Sequence, residues 1–230
     1  MQGVATRADI TASRQSATAV WPWAFIAGGV LFLIGGALHP GEDSSLPEEE
    51  ATAEFIGAGT WVPAHALIVA GTIGFMIGLF ALARSSMPSS PAARRAAWVA
   101  ALAAVLLVVE GAFHLAAFVD EDAARSGAAT PVLSTHMVMS LIIYPLFTLA
   151  LAALALLSGR TLTHPVVGVL GAIGAIAFGV APALVGPAGI DSLAVLFGVG
   201  GILMSLWFIV VGVSALIRAS SRRRTAALPS

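Results

Sequence analysis

Six long apolar runs, separated by short polar stretches, account for most of this chain. They cover about 20–38, 61–83, 97–119, 132–157, 166–187 and 192–217. About 20 consecutive apolar residues are needed to cross a hydrocarbon core of ~30 Å as a helix. A helix also satisfies its own backbone polar groups, as lipid requires. The pattern therefore predicts an all-α integral membrane protein: six transmembrane helices joined as three helical hairpins. The first run follows Arg7 and Arg14 as a signal peptide would. It is longer than an ordinary signal-peptide core and lacks a strong cleavage site, so it reads as a true span. Residues 1–18 are then a leading tail, 19–218 the membrane domain and 219–230 a basic tail.

Charge orients the spans. If six helices alternate, Arg7, Arg14, Arg84, Arg94, Arg95, Arg160, Arg218, Arg222, Arg223 and Arg224 fall on one side, and Arg125 alone on the other. The arginine-rich side is expected to be cytoplasmic, which places both termini inside a plasma or inner membrane. Glu42, Asp43, Glu48, Glu49, Glu50, Glu54, Asp120, Glu121, Asp122 and Asp191 all land outside. A five-span count would scramble this segregation. Trp21, Trp23, Trp61 and Trp98 stand at span ends, where amphipathic rings favour the membrane interface. In the long outer loop, Leu46-Pro47-Glu48-Glu49-Glu50 reads as a helix start, with Pro in the first helical position and acids in the first turn. Glu54, Phe55 and Ile56 would follow on a short amphipathic helix over the outer mouth. The loop Ser85–Ala93 reads as a flexible connector, and the stretch from Ala219 as a disordered basic tail near anionic lipid.

Composition narrows the chemistry. Hydrophobic residues make up 58% and charged residues 10%, against about 25% charged in a soluble domain. There is no Cys, which removes disulfides, Fe–S clusters, thiolate metal sites and covalently attached haem. There is no Lys either, which removes retinal and other Schiff-base cofactors. Neither a phosphate-binding glycine loop nor a hydrolase elbow is present. The expected partners are the lipid bilayer and a homo-oligomer or larger membrane complex, with no nucleic acid.

A weak internal repeat adds a site. Gly36-Ala37-Leu38-His39 in the first span resembles Gly111-Ala112-Phe113-His114 in the third, and His65-Ala66-Leu67 matches His136-Met137-Val138. In the third hairpin Ser192 and Pro182 occupy the corresponding positions. Four histidines thus fall near the outer ends of four spans. At a rise of 1.5 Å per residue, His114 lies about 9 Å, and Glu110 about 15 Å, below Asp120. Glu110 precedes His114 by one helical turn and shares its face. A charged carboxylate at that depth costs about 3 kcal/mol on the lenient insertion scales, so it marks a functional site. Its candidate roles are proton relay or anchor for a liganding His, with Tyr144 as a neutral hydrogen-bonding partner.

Neutral imidazole is a common metal ligand, and a pair of histidines can bind haem iron axially. His65 with His136, and His39 with His114, are the natural pairs for a b-type haem. For a transition-metal ion the candidate ligands are His39, His65, His114, His136 and Glu110. The run His136-Met137-Val138-Met139 suits copper, although the two methionines point different ways on a helix. His164 lies alone on the opposite side. Gly28, Gly29, Gly35, Gly36, Gly71, Gly74 and Gly78 are expected to let helices approach closely, and Tyr144-Pro145 to kink the fourth span. The leading function is therefore a membrane redox or metal-handling protein whose His/Glu cluster faces outward. The alternatives are a cofactor-free transporter or channel coupled through Glu110, and an accessory subunit of a larger complex.

Overall fold

The computed structural model describes residues 7–41, 43 and 45–226. Expectations involving Glu42, the stretch before Arg7 and the stretch after Ala226 lie outside the described residues. So do those resting on the side chains of Arg7, Arg14, Asp191, Arg222, Arg223 and Arg224. The elements are helical throughout: α1 (Arg7–Leu38), α2 (Glu48–Gly57), α3 (Trp61–Arg84), α4 (Pro91–Ala116), a 3-10 turn (Ala117–Asp120), α5 (Glu121–Arg125), α6 (Pro131–Leu162), α7 (Pro165–Val185), a second 3-10 turn (Asp191–Ala194) and α8 (Val195–Ala226). No strand occurs among the described residues. Six helical stretches are long and apolar enough to cross a membrane: Val20–Leu38, Trp61–Arg84, Pro91–Arg125, Pro131–Leu162, Pro165–Val185 and Ser192–Ser221. These are the six expected from the apolar runs.

Local chemistry sets the helix starts. Pro91, Pro131 and Pro165 each open a helix, where a missing N–H leaves no bond unmade. Ser90 Oγ accepts from Ala93 N at 3.1 Å and caps α4. Helix α6 is capped from a distance: the Asp120 carboxylate accepts from Val132 N at 2.8 Å and Leu133 N at 2.9 Å. Two exposed N–H groups and the positive end of the α6 dipole thereby meet one buried acid. Asp120→Ala should lower stability by about 1–2 kcal/mol, read as a drop in the thermal midpoint in detergent. Asp120→Asn, which keeps an acceptor, should recover part of the loss.

Four local expectations are corrected. Pro47 precedes α2 instead of entering it: its carbonyl accepts from Ala51 N at 2.8 Å, and its extended backbone sets the cap. The connector after α3 is not loose, because Ser85 Oγ donates to Leu82 O at 2.8 Å and accepts from Met87 N at 3.1 Å. Nor does the chain become disordered at Ala219. Helix α8 runs on to Ala226, since this stretch holds neither Gly nor Pro and its Arg and Ala residues favour helix. Trp21 and Trp61 do not face outward from their span ends; both are buried in the bundle, whereas Trp23 is exposed and Trp98 half-buried.

The spans close into a ring, α1 against α3, α3 against α4, α4 against α6, α6 against α7, α7 against α8 and α8 back against α1. Leu, Ile and Val side chains such as Leu102, Ile142, Leu149 and Ile202 cover the outside, an arrangement suited to hydrocarbon solvent. Aromatic and small residues fill the inside. Phe75 stacks on Phe208 at 4.0 Å, Phe32 meets Phe178 at 5.8 Å, and Tyr144 stacks on Phe178 at 5.2 Å. Close approach of α1 to α3 depends on glycine: a Cβ on Gly71 would stand 2.8 Å from Gly28 O and 2.8 Å from Phe32 N. Gly36 takes no part in such contacts, having open space around it. Helix α6 continues through Pro145.

Candidate metal centre

The end of the bundle opposite Arg84, Arg94 and Arg160 holds the four histidines. Side-chain periodicity turns three of them inward. On α3, Trp61 and His65 are one turn apart on the buried face that continues through Thr72 and Phe75. On α4 the buried stripe Ala97, Ala100, Ala104, Leu107 ends in Glu110, with His114 one turn further. On α6 the stripe begins at His136 and proceeds through Ser140, Ile143 and Phe147. His39 follows the last residue of α1. Above them, Ala53 and Ile56 of α2 pack with Trp61, Ala117 and Ala124 as a small separate core. The short amphipathic helix therefore covers the site, as expected.

The four rings form a continuous row. Ring centroids are 4.7 Å apart for His39 and His65, 4.2 Å for His65 and His114, and 3.7 Å for His114 and His136, the last pair stacked. The structure places His114 between His65 and His136, while His39 and His114 lie 6.1 Å apart. Backbone carbonyls set the orientation of two rings. His65 Nδ1 lies 2.8 Å from Trp61 O, and His39 Nδ1 lies 2.9 Å from Pro40 O. A carbonyl only accepts, so each Nδ1 carries the proton and each Nε2 is left as an acceptor. His65 Nε2 then points at His114 Nε2, 3.2 Å away. Burial holds the His39 imidazole below its ordinary value, against the opposing pull of the Pro40 carbonyl and with help from His136. Its ring is neutral at pH 7 and available as a ligand.

Glu110 stands against His136, one of the histidines that the sequence offered without choosing among them. Its Oε1 stands 2.5 Å from His136 Nδ1, both residues being buried. The two atoms are close but not aligned, and neither has a hydrogen bond of good geometry. Tyr144 also faces Glu110. The two share a cavity of about 20 Å³ with Phe32, His65, Thr72, Leu107, His114 and Phe178, about the room one water needs. A wider depression of about 430 Å³ lies at the arginine end, bounded by Ser89, Ser90, Arg94, Arg95 and Trp98; none of these is a metal-ligating acid or histidine.

Among the described residues, two groups could hold a metal ion: His39, His65 and His114, and Glu110, His114 and His136, with the ligand atoms of each group within 4.8 Å of one another. Every candidate site residue except Tyr144 thus belongs to one of these groups. Met137 is exposed and Met139 packs against the core; neither joins them. His164 is remote and caps α7, accepting from Val166 N at 3.3 Å. Trp61 was missed as a site residue. It stacks on His65 at 4.0 Å, orients that ring through its carbonyl, and is itself fixed by Nε1 donating to Leu115 O at 3.2 Å. The spacing of Trp61 and His65, one helical turn, was the available signal.

Comparison with protein-family models, with characterised proteins and with solved structures finds no match to this chain. Fold and site define it only by class: a helical protein with six spans of membrane-crossing length. One end of the bundle carries a histidine–glutamate group that could hold a metal ion.

Proposed function

We propose that this protein is a multi-pass membrane protein that captures a divalent transition-metal ion at its outward face. The observation that carries the reading is the His39–His65–His114 group, whose ligand atoms lie within 4.8 Å of one another and in which backbone carbonyls hold two of the rings by Nδ1. Orientation of liganding imidazoles by bonds from their other nitrogen is the usual support around a metal. Tetrahedral ligands at about 2.0–2.1 Å from zinc stand roughly 3.3 Å apart, close to the 3.2 Å between His65 Nε2 and His114 Nε2. The outward direction is supported by Arg84, Arg94, Arg95 and Arg160 at the opposite end. Glu48, Glu49, Glu50 and Glu54 on the exposed face of α2 draw cations to the mouth.

Space favours an ion over a haem. A ligand pocket for an organic group takes about 300–1,000 Å³, while the cavity beside these rings is about 20 Å³. The aromatic packing of Phe32, Phe75 and Phe178 below the cluster likewise supports capture at one face over an open channel.

Protein purified in detergent, stripped with chelator and dialysed against Zn²⁺ or Co²⁺ should retain the ion by elemental analysis. His114→Ala should lose it and His164→Ala should not. Expression with added haem should give no Soret band. Retention that is equal in wild type and His114→Ala would refute the assignment.

A further inference from the structure

We infer that the cluster holds two overlapping metal positions that share His114, so that one ion occupies either an outer or an inner position. This inference rests on the metal-capture reading above. The outer position is made by His39, His65 and His114 and the inner one by Glu110, His114 and His136, each with ligand atoms within 4.8 Å of one another. His114 is common to both because its ring lies between the others, at 4.2 Å from His65 and 3.7 Å from His136.

The two positions differ in chemistry. The outer one offers three neutral imidazoles and is reached past His39, the half-buried ring at the end of α1. The inner one contains a carboxylate and lies one turn deeper along α4. There, Glu110 Oε1 and His136 Nδ1 converge to 2.5 Å, buried and without an aligned hydrogen bond. Two potential ligand atoms thus stand together with no aligned hydrogen bond between them, an arrangement that a bound cation would satisfy. The inner position adds an oxygen ligand, which the three imidazoles of the outer position lack.

Simultaneous occupancy is disfavoured on two grounds. His114 would have to lose both ring protons to bridge two ions, and two divalent cations across one imidazole repel strongly in a low-dielectric interior. One carboxylate offsets only a quarter of their combined charge. The shared histidine therefore makes the positions alternatives, and an ion passes between them by exchanging His39 and His65 for Glu110 and His136 while it stays beside the His114 ring.

The test is a Co²⁺ titration of the full chain in detergent, with bound metal counted by elemental analysis and ligand sets read from visible d–d absorption. Wild type should bind one Co²⁺ per chain with a composite spectrum. Glu110→Gln and His136→Asn should each keep one ion and show the same single three-imidazole component. His39→Gln should keep one ion and show the other, carboxylate-containing component. In each variant the apparent affinity should fall only about two- to tenfold, because the remaining position still holds the ion. Two inner-position variants are used so that a poorly folded one, recognised by its thermal melt, does not decide the result. Two ions per wild-type chain, one spectrum common to all variants, or loss of all binding in a folded Glu110→Gln would each overturn the shared-ligand arrangement. Failure of wild type itself to bind Co²⁺ would instead overturn the metal-capture reading.

Discussion

His114→Ala should weaken Zn²⁺ or Co²⁺ binding by more than about 100-fold, the largest effect of any single histidine. Removing a group that merely orients a metal ligand already costs about 10–100-fold, and His114 is a ligand in both candidate groups. Its loss strips the outer position of the ring that faces His65 Nε2 at 3.2 Å and the inner position of the ring stacked on His136. His39→Ala removes one ligand from one group only and should do less damage. A chelator-competition titration measures both. Ligand linkage gives a second readout: a metal held at 100 times its Kd adds about 2.7 kcal/mol to stability. Saturating Zn²⁺ should therefore raise the melting point of wild type and leave that of His114→Ala unmoved. An equal rise in both proteins would place the ion elsewhere.

The six spans were legible because membrane crossing imposes a length and a composition that few other structures share. The histidine level was legible for a related reason: His39, His65, His114 and His136 each stand near the same end of a run, and alternation of direction brings those ends together. What a sequence cannot supply is the angle at which each ring enters. The repeat suggested equivalent pairs, His65 with His136 and His39 with His114, whereas α4 places His114 between His65 and His136. Glu110 was conspicuous as an acid in an apolar run, but its neighbour depended on how α4 and α6 meet. The structure gives it His136 as well as Tyr144. Trp21 and Trp61, both buried in the bundle, show a general ambiguity. A Trp at a span end satisfies an interface preference and a packing preference equally well, and only the neighbouring helices decide between them. The helical course past Ala219 was not legible because a run of basic residues reads as a solvated tail, although arginine is well suited to continue a helix.

The second large effect concerns the α1–α3 contact that sets the spacing of His39 and His65. Gly71→Ala should destabilise the protein by about 3 kcal/mol, at the upper end for overpacking. The new Cβ would meet Gly28 O at 2.8 Å and Phe32 N at 2.8 Å, and these are backbone atoms that no rotamer change can move. Helix α1 would have to shift as a body. It has little room, because its other side is held equally closely: a Cβ on Gly29 would stand 2.9 Å from Ser205 O, and one on Gly212 of α8 would stand 2.5 Å from Pro22 O. In lipid such packing is itself a main source of helix association, so a displaced α1 loses contacts that burial of apolar area does not replace. Gly36→Ala, with nothing within 4 Å of its added Cβ, should change stability by no more than about 0.5 kcal/mol. Thermal unfolding in detergent compares the two, and a Gly71→Ala melt matching wild type would discard the wedge. The pair Gly28 and Gly71 offers a sharper check. A Cβ on Gly28 would likewise meet Gly71 O at 2.8 Å, so both substitutions act on one interhelical distance. Once α1 has been pushed away by the first methyl group, the second finds space, and the double variant should lose clearly less than the sum of the single losses. Simple additivity would mean that each glycine is strained by a different neighbour, and the α1–α3 separation would then not be what fixes the two histidines at the mouth of the site.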